Sequence, residues 1–199
     1  MRAAGMKLLA ILALAAGLIS GAARAQPLVR DPGEPAARFA GRVLGLERHG
    51  DELHAIESAW NGRPTIFADF PNGEAREVVA LQQGPDGRYR RLHVTTGEEE
   101  GGRASVAAIG FANADRDARR ELIVILTWQV RHYDVGGTFY QVRILDDPAP
   151  GRDALVRLSS VERLFAAGGC DCDRRDGTRE RYRFKTIFLV RRALRRAGY

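Results

Sequence analysis

A stretch of thirteen residues recurs forty-four positions later without a gap, and this recurrence constrains the fold more than any other feature. Phe67-Ala68-Asp69-Phe70-Pro71-Asn72-Gly73-Glu74-Ala75-Arg76-Glu77-Val78-Val79 lies over Phe111-Ala112-Asn113-Ala114-Asp115-Arg116-Asp117-Ala118-Arg119-Arg120-Glu121-Leu122-Ile123. Both copies read Phe-Ala-Asx, a polar turn, then Arg-Glu ahead of an apolar strand. Each is followed by a second strand containing Tyr, Arg88–Val94 in the first copy and Thr138–Leu145 in the second. A period of this size with strand–turn–strand content is the mark of blade-like repeats. Two units cannot close a propeller, so the sheet has to curl into a sandwich-like body or be capped by helices.

The second copy has the clearer pattern. Leu122 to Val130 is apolar on both faces, which predicts a central strand covered on both sides. Asp134-Val135-Gly136-Gly137 supplies residues that tolerate positive φ and reverse the chain, predicting a long hairpin from Leu122 to Leu145. Upstream, Val43-Leu44-Gly45-Leu46 and Leu53-His54-Ala55-Ile56 flank His49-Gly50-Asp51-Glu52 and predict an N-terminal β-hairpin, with a further turn at Asn61-Gly62. Beyond Asp146-Asp147-Pro148 the character changes. Ser159-Ser160-Val161-Glu162 reads as a short helix capped by Ser and stopped at Gly168-Gly169. Thr186 can cap a last helix through Ala197, with Ile187, Val190, Leu194 and Ala197 on one stripe and Arg191, Arg192, Arg195 and Arg196 opposite. The expectation is a mainly β fold: an antiparallel sheet of two blade-like repeats plus an N-terminal hairpin over 38–147, sharing one domain with a small helical C-terminal segment over 148–199.

The first residues point to export. Arg2 and Lys7 open the chain, Leu8 to Ile19 is apolar or small, and Ala23-Arg24-Ala25 is a small-x-small cleavage site. Twelve apolar residues are too few to span a bilayer, so 1–25 is expected to be a signal peptide and the mature chain to start at Gln26 in the periplasm or outside the cell. Residues 26–37, with three Pro and a Gly, read as a flexible N-terminal arm. The formal charge of +6 falls to +3 once Arg2, Lys7 and Arg24 leave. Residues 174–199 hold ten Arg or Lys against Asp176 and Glu180, so a mildly acidic body carries a basic tail. Only two of 31 basic residues are Lys, which argues for composition bias over phosphate chemistry. No nucleic-acid partner and no integral membrane span are expected.

The turn Asn113-Ala114-Asp115-Arg116-Asp117-Ala118-Arg119-Arg120-Glu121 resembles the loop of FG-GAP/VCBS-type repeats, which reads Asp-x-Asp-x-Asp-Gly-x-x-Asp/Glu before an apolar strand. In that family, oxygens at loop positions one, three, five and nine hold calcium, a cation that takes six or more oxygen ligands. The resemblance implies Asn113, Asp115, Asp117 and Glu121 as Ca²⁺ ligands, with Ala118 standing where the family has Gly. In the first copy Asp69 and Glu77 remain, but Pro71 and Gly73 occupy the two middle positions. The alternative is a plain turn in which Asp and Asn bond their own backbone, and Glu77 and Glu121 each close a loop by accepting backbone N–H groups.

Cys170-Asp171-Cys172 contains the only cysteines. A local disulfide, an intermolecular or free thiol, and a metal or redox site are the three readings open to them. The four His, at 49, 54, 93 and 132, form no metal-binding helix pair, and the five Ser lie in no nucleophile context. His132-Tyr133-Asp134 ends the long strand beside the Gly turn, at a loop end where a hydrolase-like site could form. The leading expectation is a non-catalytic exported binding module whose partner is another envelope or extracellular protein. A small periplasmic enzyme using His132 and Asp134 or the Cys pair is the alternative, and a calcium-stabilised structural protein a third.

Overall fold

The two repeats each head a separate antiparallel sheet. The structure, a computed structural model, describes residues 28–46, 52–98 and 103–199. In the first sheet β1 (His54–Trp60), β2 (Arg63–Asn72), β3 (Ala75–Gln83) and β4 (Tyr89–Gly97) follow one another in chain order. In the second, β5 (Ser105–Ala112), β6 (Glu121–Arg131) and β7 (Val135–Asp146) form a meander. It is extended beyond β7 by β9 (Gly169–Arg174) and β10 (Arg179–Glu180), while the two-residue β8 (Val156–Arg157) pairs with the end of β7. The repeats were expected to share one sheet. They pack face to face instead, because β3 and β6 each carry apolar side chains on both faces and each needs a cover above and below.

Three apolar layers result. Between the sheets lie Trp60, Phe67, Val78, Ala80, Leu92 and Val94 from the first and Leu122, Val124, Leu126, Trp128 and Leu145 from the second. Outside the first sheet, α1 (Ala36–Leu44) sets Phe39 and Ala40 against Ile66, Ala68, Val79, Leu81 and Tyr89. Outside the second, α2 (Ser159–Glu162), the 3₁₀ turn Arg163–Phe165 and α3 (Ile187–Arg196) cover Ile123, Ile125, Val142 and Ile144 with Val161, Phe165, Val190 and Leu194. Leu122 to Leu126 are all at 0% exposure, and each such aliphatic side chain contributes about 1.5–3 kcal/mol.

The long hairpin forms as expected, with Leu122 paired to Leu145. Its reversal is two residues earlier than the glycines suggested: His132 N–H donates to the Val135 carbonyl (2.9 Å), and Gly136 and Gly137 lie inside β7. Gly137 answers a close approach of β9, since a Cβ there would sit 2.2 Å from the Asp171 carbonyl oxygen.

The N-terminal region differs most from expectation. The hairpin there pairs β1 with β2 through Asn61 (φ 49°) and Gly62 (φ 75°), a two-residue turn with both residues left-handed. Val43 and Leu44 end α1, Gly45 (φ 70°) follows, and the amides of Gly45 and Leu46 return to the carbonyls of Arg42 and Gly41. That is the Schellman ending of a helix, for which a Gly after an apolar helical stripe is the sequence signal. The turn expected at His49–Asp51 lies outside the described residues, as do the expected signal peptide and its cleavage site. The segment read as a flexible arm is tied down from Leu28, whose carbonyl accepts the Tyr89 amide (2.7 Å), while Glu34 is buried against Arg42. The C-terminal segment is helical only in part, because β8, β9 and β10 belong to the second sheet. Thr186 caps α3 through Leu189 N–H (3.4 Å), but Leu158 stands at the N-cap of α2, which has no side-chain cap. Among the described residues, no helix is long and apolar enough to cross a membrane.

Candidate metal centre

Pairing of Leu122 with Leu145 brings Glu121 and Asp146 to the same end of the β6–β7 hairpin. By strand alternation both lie on the outer face with Ile123 and Ile144. Like charges at such a cross-strand position destabilise a sheet unless something stands between them. The loop 113–120 folds back over this end through a chain of Asx contacts. Asn113 Oδ1 accepts Arg116 N–H (2.9 Å), Asp115 Oδ1 accepts Asp117 N–H (2.9 Å), and Asp117 Oδ1 accepts Arg119 N–H (2.6 Å). The sharp bend falls on Arg116, at φ 73°, so Ala118 does not need the freedom of glycine.

One ligand atom each from Asp115, Glu121 and Asp146 come together within 4.8 Å of one another. Glu121 is 1% exposed. Its Oε2 accepts the Ala114 amide, whereas its Oε1 is buried with no hydrogen-bond partner among the described residues. Burial pushes the Glu121 carboxyl up to about 7, against the pull of the Ala114 N–H, with the charges of Asp115 and Asp117 adding to the rise. Asp146 is raised in the same direction by burial, and then by Asp115, Asp147 and Asp117. A half-satisfied buried carboxylate beside two other carboxylates costs free energy as it stands.

A hard divalent cation suits this donor set. All three groups offer oxygen, the buried Oε1 is orphaned, and calcium completes its shell with backbone carbonyls and water. Asp115 and Glu121 from the expected set converge, and Asp146 joins them from β7. Asn113 and Asp117 do not: Asn113 Nδ2 donates to the Asp117 carbonyl, and both side chains hold the loop's own backbone. Asp146 was legible in principle, since extending the predicted hairpin by one pair sets it opposite Glu121.

The loop is also clamped from three sides. Trp60 Nε1 donates to the Arg120 carbonyl (2.6 Å), and Asn61 bonds both the Arg120 carbonyl (3.2 Å) and its amide (2.9 Å), so the first sheet grips the residue before Glu121. Arg119 pairs with Asp147. Arg116 donates to the Gly198 carbonyl (3.2 Å) and lies over the Tyr199 ring at 5.4 Å, tying in the C-terminus.

The other candidates have structural partners. His132 Nδ1 is 2.5 Å from Asp134 on an exposed hairpin tip, and the imidazole contact holds the Asp134 carboxyl below its usual range. His93 pairs with Glu77 (3.1 Å) on β4 and lines a cleft of about 400 Å³ with Trp128, Gln141 and Arg143, to which His132 does not contribute. A disulfide joins Cys170 to Cys172 within β9, and Asp171 and Asp173 pair with Lys185, Arg181 and Arg179. Compared with known protein families, characterised proteins and solved structures, the chain gives no match.

Proposed function

We propose that this chain is a non-catalytic exported binding module, a β-sandwich whose β5–β6 loop is braced by a calcium ion. The observation that carries the reading is the buried Glu121 Oε1, left without a partner where Asp115 and Asp146 converge. A cation there links the loop, the start of β6 and the end of β7, and so stiffens the corner at which both sheets and the C-terminus meet. The loop chemistry is that of the FG-GAP/VCBS-type resemblance, with Asp146 in place of two of the family's loop ligands. Support for a protein partner comes from the β6–β7 tip, where Tyr133 is 80% exposed and packs against His132 at 4.6 Å, since Tyr is enriched at protein interfaces.

Thermal melting of the mature chain in millimolar calcium and in chelator tests the brace. At about 100 times the dissociation constant the ion adds roughly 2.7 kcal/mol, a rise of about 5–10 °C for a domain of this size. Asp146→Asn and Glu121→Gln should abolish the rise, while Asp117→Asn should keep most of it. An unchanged midpoint in the wild type removes calcium from the account. Capture of a discrete envelope partner by the mature chain supports the module. Turnover of a substrate panel with nothing captured favours the enzyme reading.

A further inference from the structure

We propose that the outer face of α3 docks on an anionic phospholipid surface, an inference that does not depend on the calcium reading. One side of this helix is committed to the fold. Val190 and Leu194 are buried at 0% and 1%, and Ile187 packs so closely on β5 that a Cβ on Gly110 would lie 2.6 Å from it. Arg191 is used as well, donating through Nε to the Phe111 carbonyl (2.7 Å). The acids of this region serve other cations: Glu180 pairs with Arg174, Asp173 with Arg179 and Arg181, and Asp171 with Arg181 and Lys185. What remains faces outward. Among the described residues, no carboxylate lies within 4.0 Å of the guanidinium nitrogens of Arg183, Arg192, Arg195 or Arg196.

Apolar surface accompanies this charge. Arg183, Arg192 and Arg196 rim a groove of about 270 Å³ whose floor is Phe184, Leu189, Ala193 and Ala197. Phe188 is 64% exposed and stands one and two turns before Arg192 and Arg195 on the same stripe. One plane laid on the helix therefore meets an aromatic ring and several guanidiniums together. That is the composition of an interfacial helix, whose ring enters the headgroup boundary while long Arg stems lie along it with their charges at the phosphates. Ten residues make a helix about 15 Å long, so the contact is weak, reversible and salt-sensitive.

Cosedimentation of the mature chain with vesicles tests this. Vesicles of phosphatidylcholine with about 30% phosphatidylglycerol should bind at least tenfold better than phosphatidylcholine alone, and the preference should vanish near 0.5 M salt. The triple variant Arg192→Gln, Arg195→Gln, Arg196→Gln should lose about 100-fold, and Phe188→Ser about tenfold, each with an unchanged melting midpoint because the side chains are exposed. Arg88→Gln with Arg90→Gln, at the turn into β4 and its first residues, should bind as the wild type does. Three results overturn the proposal: equal binding to neutral vesicles, no binding to either kind at low salt, or a triple variant that binds like the wild type. Displacement of the chain from the vesicles by polyglutamate at fixed ionic strength, with direct peptide binding lost in the triple variant, would assign the face to an acidic protein instead.

Discussion

The β2–β3 and β5–β6 hairpins start from matching sequence and reach opposite electrostatic outcomes. In the first, strand pairing runs on to Asn72 and Ala75 and closes in a two-residue turn at Gly73 (φ 62°) and Glu74. In the second it stops at Ala112 and Glu121, leaving 113–120 as a loop. The registers also differ: Phe67 pairs with Ala80, whereas Phe111 pairs with Leu122. Asp69 consequently sits inside β2 opposite Val78, with Arg76 at 2.5 Å and His54 at 3.5 Å. Its counterpart Asn113 stands in the loop. Arg76 supplies the first hairpin with its own cation, while its counterpart Arg120 turns over the Phe111 ring at 5.8 Å. Glu77 finds His93 and Arg91, but Glu121 finds a backbone amide and two other carboxylates. Turn length decides whether a hairpin pairs its carboxylates internally or leaves one with a buried oxygen unpaired.

Breaking the first hairpin's internal pair should have the largest effect. Arg76→Met leaves Asp69, 7% exposed, without its guanidinium and should cost about 3–5 kcal/mol in urea unfolding, with no dependence on calcium. A loss below about 1 kcal/mol would mean that the two hairpins do not differ in the way described.

The second effect concerns Glu121 in chelator. Its folded value of about 7 lies above the ordinary 4.5, so between these the folded state keeps a proton that the unfolded chain has released. Stability therefore falls as pH rises through that window, by about 3 kcal/mol between pH 4.5 and 8, and levels off above it. Glu121→Gln should flatten this slope and make the metal-free protein more stable at pH 8. Saturating calcium should reverse the trend in the wild type, because the ion favours the carboxylate. A metal-free midpoint that climbs between pH 5 and 8 would contradict the burial argument.

The smallest effect sharpens the role of the inter-sheet clamp. Asn61→Ala removes two bonds to the Arg120 backbone and places Ala in a left-handed conformation, at a cost of about 2–3 kcal/mol. Asn61→Gly keeps the turn and should cost about 1–2 kcal/mol through the bonds alone. In both variants calcium affinity should drop, since Arg120 immediately precedes Glu121. Unaltered affinity would show that the clamp holds the sheets without shaping the loop.

Much of the second sheet was legible in the chain. The five consecutive apolar residues Leu122 to Leu126, rich in Ile and Val, read as a covered strand, and a two-residue side-chain period sets the partner register once a turn is placed. The first helix was not, because Val43-Leu44-Gly45-Leu46, set beside the apolar run at Leu53, fits a strand-and-turn pattern, while the helical face runs back beyond Phe39 only through the small Ala36, just after Pro35. Asp115 and Glu121 were legible because they lie in one loop. Asp146 was obscured because it lies 25 positions further on and meets Glu121 only across the ladder.

The amino-acid order determined on its own the repeat, the long hairpin, the Thr186-capped last helix and the acidic turn, since each rests on neighbours within a few residues or on a strand period. Tertiary structure alone decided that the repeats face each other in two sheets, that the first hairpin's carboxylates find Arg76 and His93, and that Glu121 is buried beside Asp146 with one oxygen unpaired. The reason is physical: burial, register across a ladder and the approach of separate sheets depend on every layer at once, and electrostatic free energy follows burial more closely than it follows residue type.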